Sequence, residues 1–72
     1  MIKIIASPVT GVVVEVVKQT GQSVKADDTV VILESMKMHF QVRAEVDGVV
    51  EEIFADKGDM VEESKPLVKV RT

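Results

Sequence analysis

Few side chains in this sequence could take part in chemistry. There is no cysteine and a single histidine, His39. A thiolate metal site and a disulfide are therefore excluded, and a lone histidine builds neither a metal site nor a catalytic triad. His39 reads as a half-exposed strand residue. Of the seven lysines, Lys37 is set apart by its neighbours: Met36 and Met38 bracket it, and only Met1 and Met60 lie elsewhere. An aqueous lysine is almost wholly protonated at neutral pH. Methionines exposed beside it would offer a contact to a partner that recognises this stretch. The run Glu34-Ser35-Met36-Lys37-Met38 offers one extended amine with an apolar rim, a presentation the other six lysines lack.

The elements that hold this lysine follow from an internal repeat. The chain has four glycines in two matched pairs, Gly11 with Gly21 and Gly48 with Gly58, each spanning ten residues and offset by 37. That shift lays Val9-Thr10-Gly11-Val12 on Val46-Asp47-Gly48-Val49 and maps residues 1–35 onto 38–72. Met36 and Lys37 alone are left unmatched, at the seam. A half of about 35 residues cannot bury enough surface to stand alone. The reading is one domain over 1–72, built of half-repeats 1–35 and 38–72 about an approximate two-fold axis, each half covering the other's apolar face.

Within each half the pattern is short strands. Valine and isoleucine supply 21 residues and leucine two, and β-branched side chains suit a pleated surface better than a helix. Strands are expected at Ile2–Ala6, Val12–Val17, Thr29–Ser35, Phe40–Glu45, Val49–Phe54 and Pro66–Arg71. Turns fall at Pro8–Gly11, Gly21, Asp47-Gly48 and Gly58, where glycine supplies what a tight turn needs. No window carries a capped helical stripe. The class is all-β, a sandwich or barrel.

If Val30–Ser35 and Met38–Arg43 flank the seam, Met36-Lys37 is the two-residue turn of a hairpin. Such turns favour Asn-Gly, Asp-Gly or Gly-X because their central residues take positive φ. Met-Lys is a poor choice, although the chain uses glycine at its other turns. A local rule broken without structural gain is expected at a functional site. At least one flanking methionine should be substantially exposed.

Charge removes other classes. The formal net charge is −3, with acidic pairs at Asp27-Asp28, Glu51-Glu52 and Glu62-Glu63 and no basic stripe. Nucleic-acid binding is disfavoured, the more so with only Phe40 and Phe54 for stacking. The first residues are too short an apolar run for a signal peptide and no span is long enough for a membrane helix, so no membrane insertion is expected and a cytoplasmic protein is the default.

Glu34-Ser35-Met36-Lys37-Met38 resembles the Glu-Ala-Met-Lys-Met signature of biotinyl (biotin carboxyl carrier) domains, and the whole chain is similar to the biotin/lipoyl attachment family. Ala6-Ser7-Pro8-Val9-Thr10-Gly11 resembles the family's Ala-Pro-Met-Pro-Gly, and Gly48-Val49-Val50 and Lys57-Gly58-Asp59-Met60-Val61 also fit. Ser35 stands where alanine is common. The resemblance implies a flattened barrel-sandwich hybrid of two four-stranded antiparallel sheets with the modified lysine on an exposed hairpin. It implies biotin joined to Lys37 by a biotin–protein ligase, with Met36 and Met38 as the recognised rim and Glu34 and Ser35 as motif residues. A non-catalytic carrier of this kind shuttles carboxylate between a biotin carboxylase and a carboxyltransferase. The first half has no insertion, which resembles the thumbless type, monomeric in isolation. Two alternatives stand beside it. A lipoyl carrier shares the scaffold but usually has Asp-Lys-Ala at the tip, against which Met36 and Met38 argue; an unmodified β interaction module leaves the disfavoured turn unexplained.

Overall fold

The computed structural model describes residues 1–72. Eight strands follow one another without a helix: β1 (Ile2–Ala6), β2 (Gly11–Val16), β3 (Ser23–Val24), β4 (Thr29–Ser35), β5 (Met38–Arg43), β6 (Gly48–Ile53), β7 (Met60–Val61) and β8 (Pro66–Arg71). They form two four-stranded sheets, ordered β1-β8-β6-β3 and β5-β4-β2-β7, and every pairing is antiparallel. No helix of the chain is long and apolar enough to cross a membrane. The six strands expected from the residue pattern are present within two residues of their expected bounds. The two-residue strands β3 and β7 sit in stretches that composition marks only as polar connection, because two residues are too few to show a period.

The approximate two-fold exchanges the sheets. Adding 37 to the β2–β4 register, in which Val12 faces Glu34 and Val16 faces Val31, gives the β6–β8 register, in which Val49 faces Arg71 and Ile53 faces Val68. Even the irregularities correspond: a bulge interrupts β2 between Val13 and Glu15, and another interrupts β6 between Val50 and Glu52. Bulges sharpen strand twist, which lets short sheets curl around a common core. Each sheet takes two strands from each half, so the halves interleave and do not simply stack one upon the other.

Alternation along the strands sends one set of side chains inward. The buried apolar cluster consists of valine, isoleucine, leucine and alanine only, with Ile5, Leu33, Leu67 and Val70 at 1% exposure or less. Both leucines are in it, which fits their scarcity. Two glycines are required by packing. A Cβ at Gly11 would press on the Glu34 carbonyl oxygen, and one at Gly48 would press on the equivalent Arg71 carbonyl oxygen. Gly21 and Gly58 are required by backbone shape, at φ +90° and +94°, where a side chain is disfavoured. Their N–H groups reach across the molecule to the Val50 and Val13 carbonyls, each at 2.8 Å. Two further contacts join the halves: Asp47 Oδ1 accepts the Ala26 N–H at 2.8 Å and Thr10 Oγ1 accepts the Glu63 N–H at 3.0 Å.

The molecule is elongated, 33 × 18 × 17 Å. The β4–β5 turn stands at one end. The chain termini run alongside each other at the other, where the Thr72 N–H bonds to the Met1 carbonyl at 2.8 Å. The two-fold makes these ends equivalent, since Ser35 and Met38 correspond to Thr72 and Met1.

Candidate functional site: a lysine at a left-handed turn

Strand β4 pairs with β5 through Leu33–Phe40, Glu34–His39 and finally Ser35–Met38. That last pair leaves Met36 and Lys37 as a two-residue loop. Both take positive φ, 53° and 64°, as a type I′ turn demands when it must match the right-handed twist of its strands. A left-handed conformation costs a non-glycine residue roughly 1–2 kcal/mol. Met36 and Lys37 both adopt it where Asn-Gly would fit.

The side chains lose nothing by leaving the protein, since they were never in it. Met36 is 92% exposed and Met38 60%, so both flanking methionines stand in solvent. Lys37 is exposed too. Its amine has no hydrogen-bond or ion-pair partner, whereas Lys3, Lys18 and Lys69 are each within 4 Å of a carboxylate. Lys25, Lys57 and Lys65 are equally unpaired but lie in other connections, without methionine on both sides. Glu34 is exposed on β4 and Ser35 half-buried.

The turn is held by the sheet beneath it. Gly11 opens β2 directly against the Glu34 carbonyl and the Ser35 side chain, and a Cβ at Gly11 would lie 3.2 Å from the Ser35 Cβ. This close approach is why a small residue is needed at position 35 and no side chain at position 11. Sequence reasoning paired Gly11 with Gly48 but did not place it beneath the hairpin; that contact lies between residues far apart in the chain. His39 is exposed on β5 opposite Glu34, without a second ligand or an acid–base partner. No group of three or more His, Asp or Glu side chains could hold a metal ion. The main groove, between the ends of β1 and β5, is lined by Ala6, Pro8, Gln41 and Arg43, and is remote from the turn. Arg43 there donates to the Asp27 carbonyl at 2.7 Å.

A doubled β scaffold here spends backbone strain to project an unpaired lysine into solvent between two exposed methionines. An exposed amine with no competing partner is the group needed to form an amide with a carboxylic-acid cofactor. The chain belongs to the biotin/lipoyl attachment family, matching the family of biotin-requiring enzymes over residues 1–70. It is 43% identical over 65 residues to the biotin carboxyl carrier protein of acetyl-CoA carboxylase from Pseudomonas aeruginosa, covering 90% of this chain and 39% of that protein. Its structure is similar to the urea carboxylase of Kluyveromyces lactis, with a TM-score of 0.93 at 32% identity over 99% of this chain and 6% of the other. It is also similar to the lipoyl domain of the 2-oxoglutarate dehydrogenase complex from Azotobacter vinelandii, with a TM-score of 0.74 at 36% identity over 88% and 80% of the two chains. The chain thus spans a minor part of the carboxylase proteins it resembles.

Proposed function

We propose that Lys37 is the residue on which this chain carries biotin, joined through an amide to its ε-nitrogen, and that the domain delivers carboxylate between a biotin carboxylase and a carboxyltransferase. The carrying observation is the turn. Met36 and Lys37 hold left-handed conformations, and Met36 and Met38 expose apolar surface that contributes nothing to the core. Exposed methionines make an adaptable rim for a partner, here the biotin–protein ligase.

The chain is a non-catalytic carrier. Its own residues contribute a fixed platform and, at the tip, an unpaired amine free of competing contacts. Biotin, when attached, supplies the ring nitrogen that holds the carboxylate. Acylation removes the lysine charge and lengthens a flexible arm at the end of a rigid scaffold. Delivery then works through effective concentration. The domain acts as a monomer in the cytoplasm, and the partner enzymes are parts of a biotin-dependent carboxylase, transcarboxylase or decarboxylase.

Lipoate is the second reading, favoured by the likeness to the Azotobacter lipoyl domain; the methionines beside Lys37 weigh against it. Intact mass of protein from its native cells, with avidin capture, decides between them. Biotin mass on the wild type, absent from Lys37→Arg, is the expected result. Lipoate mass, or biotin at another lysine, overturns the assignment.

A further inference from the structure

The chain has no cysteine, tryptophan or tyrosine, and it has four methionines. A two-electron oxidant such as a hydroperoxide therefore acts first on methionine sulfur. All four methionines are exposed, Met1 at 95%, Met36 at 92%, Met60 at 68% and Met38 at 60%, and none belongs to the buried cluster. Methionine commonly fills irregular gaps in a core; here the core is built without it. Oxidation thus reaches every methionine of the folded protein and alters no core contact.

Their placement is uneven. Met36 and Met38 flank Lys37 at the turn. Met60 lies on the same sheet, in the row of Glu34 and Val12, two strands across from β4. Met1, the two-fold counterpart of Met38, stands at the far end beside Thr72.

We infer that Met36 and Met38 form a reversible oxidation site that governs whether Lys37 can be loaded, an inference that rests on the attachment reading above. The thioether sulfur attacks one oxygen of the hydroperoxide; the O–O bond breaks and an S–O bond forms. The proton on the transferred oxygen passes to the leaving one, which departs as water or an alcohol. Sulfur is oxidised by two electrons and the peroxide is reduced by two. A methionine sulfoxide reductase restores the thioether, with a dithiol oxidised to a disulfide and the oxygen released as water.

In the free protein the added oxygen disturbs little. Both side chains stand in solvent, so the sulfoxide is hydrated, and the β4–β5 pairing beneath the turn is made by backbone groups. The cost falls on the complex. A ligase surface shaped to an apolar rim must strip water from each sulfoxide oxygen, which is unfavourable wherever no hydrogen bond is returned. Recognition is lost while the fold is kept.

The test uses the unbiotinylated chain, treated with hydrogen peroxide and then freed of oxidant with catalase. Peptide mass confirms the sulfoxides, and intact mass follows loading by the biotin–protein ligase of the same cells, beside thermal unfolding. The expected result is a fall of about tenfold in kcat/KM for loading, the size of losing a central anchor, with an unchanged unfolding transition. Reductases for both sulfoxide epimers should restore loading. Met60→Leu, oxidised at the turn, should lose loading as the wild type does. Met36→Leu with Met38→Leu, oxidised at Met1 and Met60, should load at the rate of its own untreated form. If that variant loads too slowly to measure, partial oxidation of the wild type replaces it: loading must fall with sulfoxide at Met36 and Met38 and be independent of sulfoxide at Met1. Oxidised wild type that loads at the untreated rate overturns the inference and leaves the attachment reading standing. An equal fall in the leucine variant, or a shifted unfolding transition, also overturns it, since either moves the effect away from the rim. Untreated wild type that takes no biotin at Lys37 overturns the attachment reading and this inference with it.

Discussion

Gly11 lies directly against the Glu34 carbonyl, three residues before the lysine at the turn, and Gly48 lies against the Arg71 carbonyl in the same way. A methyl group at either position collides with backbone, which cannot swing aside as a side chain can. Gly11→Ala and Gly48→Ala should each cost about 1–3 kcal/mol, the range for forced overpacking. They should differ in function: Gly11→Ala displaces the base of the hairpin and slows biotin loading, whereas Gly48→Ala leaves loading near wild type. Urea titration and ligase kinetics on the two variants check this.

The turn itself stores strain that can be released. Lys37→Gly should raise stability by about 0.5–1 kcal/mol, the left-handed penalty less the entropy of glycine, while abolishing loading. Met36→Asn should stabilise by a smaller amount, because asparagine tolerates this conformation. Thermal unfolding of the three proteins gives the order. A loss of stability in Lys37→Gly would mean that the lysine contributes a contact to the fold.

Leu33 and Leu67 are fully buried, at 0% exposure each. Leu33→Ala and Leu67→Ala should each cost about 2–5 kcal/mol, a large share of what a domain of this size possesses. Glu51→Gln, which breaks an exposed pairing with Lys69 and Arg71 at 3.9 Å, should change stability by less than about 1 kcal/mol. Calorimetry on the set separates burial from surface charge as sources of stability.

Asp47 Oδ1 and Thr10 Oγ1 each accept a backbone N–H from the other half, those of Ala26 and Glu63. Asp47→Ala and Thr10→Val should each lose about 0.5–1.5 kcal/mol. The contacts are two-fold related and share no partner, so the double variant should lose the sum to within about 0.5 kcal/mol. Denaturation of all four proteins tests that additivity.

Much of this is visible in the residues. Four glycines in two pairs give the repeat, β-branched runs give six of the strands, and the pair left over at the seam locates the turn. The turn's identity as Met-Lys stands out because glycine is used elsewhere. What the chain hides is contact between distant segments. Nothing local in Ser23-Val24 or Met60-Val61 says strand; they become strands because β6 and β2 present free edges to them. Which way a single side chain points is hidden for a similar reason. Val12, Val14 and Val16 look alike in sequence, yet Val16 packs on the core and the other two do not, a difference set by the bulge between Val13 and Glu15.

The pairing of β1 with β8 has a consequence for how the molecule is made. Its first strand has no lasting neighbour until the final strand has left the ribosome, and the sheet bearing the hairpin needs β7 to close its edge. A nascent or truncated polypeptide can form the local hairpin but not the framework that stiffens it. The framework behind the tip is therefore whole only when all eight strands of the domain are present, so a piece of it lacking β7 and β8 should fail to hold the hairpin in one shape.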